Sequence, residues 1–224
     1  TYSGSAVDDP SLYIRLDLTA KGFHAMVLTA GEGTIYIDPY FFNGDIKNYL
    51  VYYKKDFAPI AGKSMVCGVD GQAVNTSDFR PGNAGSRFGS CELRTYRLAL
   101  AATGEYTQFH GGTVAGALAA QVTTMNRVNG VYNRDLAIQM NIIANNNLII
   151  YTNGGSDPYT NNNGGTMLNE NQNNIDAVIG SANYDIGHVF STGGGGIAQL
   201  FSPCNNGSKA RGVTGSFAPV GDPF

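Results

Sequence analysis

Along the first third of the chain, apolar and polar positions follow a period of two. Leu12-Tyr13-Ile14-Arg15-Leu16-Asp17-Leu18 alternates, Phe23 to Leu28 is largely apolar, Thr34-Ile35-Tyr36-Ile37-Asp38 runs into Pro39, and Tyr49 to Tyr53 is again β-prone. Glycine breaks such as Gly31-Glu32-Gly33 separate these runs, so residues 1–74 read as a small β-rich module. From Asn75 to Ser90 the composition turns to Asn, Ser, Gly, Arg and Pro81 with little apolar content. An exposed linker is expected over 75–90.

The period then changes. Arg94 to Leu100 puts Tyr96, Leu98 and Leu100 on one face of a strand. Thr113 to Val128 carries Val114, Ala117, Leu118, Val122, Met125 and Val128 at helical spacing. Arg134 to Ile143 returns to period two through Leu136, Ile138, Met140 and Ile142, and Leu148 to Tyr151 is a short buried run. An Asn/Gly-rich loop fills Asn153 to Gly165. A second helix is expected from Met167 to Ala182, with Thr166 as its N-cap and Leu168, Ile175, Val178 and Ile179 inward. Asp185 to Ser191 is a further strand. This order predicts an α/β fold, a mixed sheet with packed helices, over residues 91–224.

Composition narrows the function classes. The chain has 224 residues, 42% of them hydrophobic and only 14% charged, with a net charge of −3. There is ample material for a core, and no electrostatic case for nucleic acid or an anionic membrane. No apolar run approaches the roughly 18 residues of a membrane span. The profile suits a secreted globular protein. The sequence opens on Thr1 without a signal-peptide pattern, so the expectation is a removed signal or a missing front.

Cys67, Cys91 and Cys204 are an odd number, which leaves at least one thiol without a partner inside the chain. None forms a C-x-x-C pair, against a zinc ribbon or thioredoxin-type site. Gly193-Gly194-Gly195-Gly196-Ile197-Ala198 fits G-x-G-x-x-A, but Pro203 follows too soon for the helix a dinucleotide site needs. A glycine turn into a short strand is the better reading. His24, His110 and His188 lie far apart; His188 reads as a packed mid-strand residue and His110 as a turn cap. No nucleophile elbow, Walker loop, calcium loop or helical histidine pair is present.

Longer stretches carry a family likeness. Leu93 to Tyr106 resembles the opening strand of the reprolysin-like catalytic domain of the metzincin clan, and Met125 to Asp135 resembles its first helix and turn. Tyr184 to Ser191 is similar to the strand leading to the cleft, and Lys209 to Gly215 to the approach to the zinc helix. Upstream, Tyr36 to Tyr40 and Tyr52 to Phe57 resemble the pro-region that precedes such domains. The resemblance implies a secreted zinc endopeptidase acting on polypeptides, with residues 1–74 as pro-region and 91–224 as the N-terminal half of a metzincin-like catalytic domain.

In that family three histidines of H-E-x-x-H-x-x-G-x-x-H hold the zinc and the glutamate acts on its bound water. That motif does not occur here. The resemblance therefore implies zinc ligands beyond residue 224, and no catalytic residue or metal ligand within the chain. It places a substrate-pairing edge strand at Gly195, Gly196, Ile197, Ala198, Gln199 and Leu200. It also implies a disulfide from Cys204 to the missing region, and it makes Cys67 a candidate latch ligand for the zinc in a latent proenzyme. The alternative is a secreted, non-catalytic binding or adhesion module that uses the same edge strand.

Overall fold

The computed structural model describes residues 1–31, 33–41, 46–58, 92–193 and 195–220. The expected linker 75–90, Cys67, Cys91 and Gly194 lie outside the described residues.

The early β-prone runs form one antiparallel five-stranded sheet. Its strands are β1 (Tyr2–Ser5), β2 (Tyr13–Thr19), β3 (Gly22–Leu28), β4 (Ile35–Pro39) and β5 (Tyr49–Tyr53), in that spatial order. β1 is an addition to the sequence reading. Sequential strands joined by short turns pair with their neighbours, the expected outcome for a meander. The alternation in β2 is used in an unusual sense. Its buried members are Arg15 and Asp17, whereas Leu18 is 73% exposed.

From residue 92 onward the chain builds a mixed sheet with helices on both faces. The elements are β6 (Arg94–Ala102), α1 (Gly104–Phe109), α2 (Val114–Leu136), β7 (Ile138–Ile142), α3 (Gly164–Val178), β8 (Ile186–Ser191), β9 (Gly196–Ala198) and β10 (Gly212–Gly215). The sheet order is β7-β6-β8-β10-β9, with only β9 antiparallel to its neighbour. The α/β expectation holds. On β6, Leu98, Leu100 and Ala102 face α1 and α2, packing with Tyr106, Ala117, Met125 and Phe190. The intervening Ala99 and Ala101 face α3, packing with Met167, Ile175, Val189 and Val213. A strand covered on both sides has no polar face, which is why Leu-Ala-Leu-Ala-Ala is continuously apolar.

Four boundaries differ from the sequence reading. Helix α2 continues eight residues past Val128, and the strand expected from Arg134 starts only at Ile138. The last turns have tertiary work: Asn129 Nδ2 donates to the Met140 carbonyl (2.8 Å) and Asn129 Oδ1 accepts from the Met140 N–H (2.9 Å), closing the outer edge of β7. Ala137, left-handed at φ 53°, then ends the helix. The N-cap of α3 is Asn163, not Thr166; the Asn163 side chain accepts from the Thr166 N–H at 3.1 Å. The helix stops at Val178, which points outward at 40% exposure while Ile179 is buried. The short helix α1 was not read from the sequence; Thr103 caps it by accepting from the Tyr106 N–H at 3.2 Å.

Helix α2 joins the two sheets. One side lies on β6 and β7 through Ala117, Met125 and Val128. Another side meets β2, where Asn126 and Gly130 are buried. A Cβ on Gly130 would stand 2.6 Å from Met26 Cε and 2.8 Å from Arg15 Cγ. Only glycine lets the sheet come this close.

Candidate functional site

The segment Gly195 to Leu200 is brought to the free margin of the second sheet. Gly195 turns the chain at φ 65°, a conformation that favours glycine. β9 then pairs with β10 in the register Gly196↔Thr214, Ile197↔Val213 and Ala198↔Gly212. Gly215 N–H donates to the Gly195 carbonyl (2.9 Å) and Gln199 N–H to the Arg211 carbonyl (3.0 Å). In an antiparallel ladder such bonded pairs alternate with outward-facing ones. The N–H and C=O of Gly196 and Ala198 therefore point away from β10, and no strand among the described residues takes that side.

The side chains of this edge are arranged by the same alternation. Ile197 packs on the core beneath α3. Gly196 and Ala198 face the other way, beside Gly212 and Thr214, so β9 itself carries only small side chains on the face where the His188 ring of β8 lies against Gly212 and Thr214. Beyond the strand, Arg211 fixes the loop by donating to Gln199 Oε1 (2.9 Å) and to Asn169 Oδ1 of α3 (2.7 Å). Leu200 and Phe201 are exposed at the tip.

Behind the strand the glycine run is held by close approach and by one asparagine. A Cβ on Gly193 would meet Asn162 Oδ1 at 2.1 Å, and one on Gly215 would meet the Gly193 carbonyl at 2.0 Å. Asn161 ties the end of β8 to the end of β6: its Oδ1 accepts from Thr103 Oγ1 (3.0 Å) and the Thr192 N–H (3.1 Å), and its Nδ2 donates to Thr192 Oγ1 (3.0 Å). Sequence reasoning missed Asn161 and Arg211. Asn161 sits in an Asn-rich stretch where composition gives no hint that one residue is buried. As the motif reading expected, the glycine run leads into a strand and not into a helix.

The histidines do not converge. His24 lies on β3 with Nδ1 3.4 Å from Asp17 Oδ1, His110 closes α1, and His188 stands in the middle of β8 with Nε2 2.8 Å from Thr214 Oγ1. Burial pushes the His188 imidazole down to about 4. Among the described residues no three His, Cys, Asp or Glu side chains could hold a metal ion. The described residues do not fit a zinc centre. Cys204 is exposed at φ 62°, its N–H bonded to the Asp185 carbonyl at 2.9 Å, and forms no disulfide among the described residues. What the arrangement offers is a row of main-chain donors and acceptors, not an acid, base or nucleophile.

Comparison with curated proteins returns no match. No helix among the described residues is long and apolar enough to cross a membrane. The profile of metallo-peptidase family M12B, reprolysin-like, matches residues 92–222, which begins just before β6 and takes in the whole second sheet, its helices and the open edge of β9. The chain belongs to the reprolysin-like metallopeptidase family.

Proposed function

We propose that this chain is part of a secreted zinc-dependent endopeptidase, in which Gly195 to Leu200 binds the polypeptide substrate as an added strand. The observation that carries the reading is the open edge of β9. An extended peptide can bond to the outward N–H and C=O of Gly196 and Ala198, and main-chain pairing of this kind gives affinity without demanding a side-chain sequence. Gly196 and Ala198 are small, so β9 itself puts nothing bulky beside an added strand on that face.

In this reading residues 1–74 are the pro-region, 75–90 the linker and 91–224 the N-terminal half of the catalytic domain. The zinc ligands, in H-E-x-x-H-x-x-G-x-x-H, are supplied by residues outside 1–224. Cys204 pairs with a cysteine outside 1–224, which disulfide mapping of the secreted protein decides; a bridge to Cys67 or Cys91 refutes it. Cys67 as the zinc latch is tested by Cys67→Ser, which should abolish latency of the proenzyme.

The edge-strand role has its own test in the whole enzyme. Ala198→Pro removes an N–H that faces outward and breaks no bond to β10, so the fold tolerates it at an edge. KM for extended peptides should rise about tenfold, the loss expected from one or two hydrogen bonds. Unchanged kinetics would remove β9 from the substrate site. If the chain is instead a binding module without metal, the same substitution weakens peptide binding in the absence of any peptidase activity.

A further inference from the structure

The open edge of β9 offers main-chain groups to a peptide but almost no side chain that could tell one peptide from another. Gly196 and Ala198 are small, and Ile197 between them packs on the core beneath α3. The His188 ring on the same face belongs to β8, two strands in, and is held by Thr214. The glycine run, residues 193–196, leads into the edge without any side chain. Discrimination between substrates therefore falls to the other end of the strand.

That end carries two exposed apolar residues. Leu200 is 55% and Phe201 67% exposed, and they follow directly on Gln199, whose N–H donates to the Arg211 carbonyl (3.0 Å). At about 3.4 Å per residue, Leu200 comes roughly 7 Å beyond Ala198 along an extended chain. A peptide strand paired with Gly196 and Ala198 reaches it one same-face step further on.

The loop that presents the pair is tied down. Arg211 donates to Gln199 Oε1 (2.9 Å) and to Asn169 Oδ1 of α3 (2.7 Å). Cys204 N–H donates to the Asp185 carbonyl (2.9 Å) and Asn205 N–H to the Ser202 carbonyl (3.0 Å), so the chain is fastened on both sides of Phe201. Phe201 is itself left-handed at φ 58°, a conformation that disfavours a bulky residue. Gly195, at the other end of β9, meets a φ of 65° with glycine. At Phe201 a large ring is kept under strain and yet stays mostly exposed. Strained backbone of this kind clusters at ligand clamps.

We propose that Leu200 and Phe201 set the selectivity of the β9 edge, favouring a polypeptide that carries leucine or phenylalanine one same-face step beyond the residue paired with Ala198. The inference rests on β9 being the substrate edge. An apolar partner is the chemistry that fits, because neither side chain offers a charge or a hydrogen bond. Arg211, the charged residue in register with the edge, is engaged with Gln199 and Asn169. Covering the pair with Leu or Phe in place of Ala is worth about tenfold in binding.

A series of extended peptides tests this, each with Leu, Phe, Ala or Asp at one position of an otherwise small-residue sequence. The readout is kcat/KM of the whole enzyme, or Kd should nothing be cleaved. At least one position should prefer Leu and Phe to Ala by about tenfold. Leu200→Ala and Phe201→Asn should each lower that ratio several-fold. Asparagine accepts a left-handed backbone, so the second change removes the ring and keeps the turn. Leu200→Arg should raise Asp above Ala at the same position, an inversion that a merely structural effect does not produce. The inference is overturned if no position shows an apolar preference that either Leu200→Ala or Phe201→Asn lowers. Ala198→Pro separates it from the reading of the edge, since that change should raise KM or Kd across the whole series alike. Unchanged values take β9 out of the substrate site; raised values, with a ratio that both tip variants leave intact, overturn the selectivity alone.

Discussion

The His188 imidazole occupies the space that a side chain on Gly212 would need: a Cβ there would stand 2.4 Å from Nδ1 and 3.1 Å from Cε1. The two residues belong to the adjacent parallel strands β8 and β10. His188 cannot swing away cheaply, because Nε2 is engaged by Thr214 at 2.8 Å. Gly212→Ala is expected to destabilise the protein by about 1–3 kcal/mol, the range for overpacking a tight site. Thermal or denaturant unfolding measures it. A combined Gly212→Ala and His188→Ala variant should recover part of the loss, since the clash is with the ring.

The same histidine sets a pH dependence. Its folded value is about 4 against an ordinary 6.5, so the unfolded chain binds more protons between those limits. Stability from His188 is therefore complete above about pH 6.5 and declines toward pH 4, by up to about 1.4 kcal/mol per pH unit. Denaturant midpoints at pH 7, 6 and 5, with His188→Gln as the control, should show a flatter profile in the variant. Identical slopes would assign the acid sensitivity elsewhere.

Asn146 acts as a surrogate strand for β6. The pairing of β6 with β7 ends at Leu98↔Ile142. One step further, Asn146 Oδ1 accepts from the Leu100 N–H (2.8 Å) and Nδ2 donates to the Leu100 carbonyl (2.9 Å) and to Gln121 Oε1 (3.1 Å). Asn146 and Gln121 are both buried. Asn146→Ala strands backbone and side-chain groups in the core and should cost about 2–4 kcal/mol. Asn146→Ala with Gln121→Leu should cost less than the sum of the single changes, which a double-mutant cycle reads directly.

The 1–224 chain should bind zinc no better than its scattered side chains allow and should hydrolyse no peptide. The zinc motif is absent from its sequence, and no metal-holding group occurs among the described residues. Zinc analysis after dialysis and a peptidase assay check this. A stoichiometric, tightly held zinc in the chain would contradict the proposed division of the enzyme.

Periodicity carried most of the secondary structure. The two-residue alternation of β2 to β5 and the helical stripe of α2 are local properties, set by how side chains leave a strand or a helix. The family likeness was equally local, since Leu93 to Gly215 bears its residues in linear order. Pattern could not say which side of β2 faces inward. Arg15 and Asp17 are buried there because α2 supplies Asn126, Thr123 and, through the neighbouring strand, Arg127 as partners. A polar residue goes inside only when a distant residue satisfies it, and that partner lies more than a hundred positions away. The end of α2 was hidden for the same reason, being fixed by Asn129 clasping Met140 and not by a sequence stop signal. The open edge of β9 is likewise a matter of sheet order. The sequence by itself determined a short strand after four glycines; only the tertiary pairing with β10 decided which of its peptide groups are free to meet another chain.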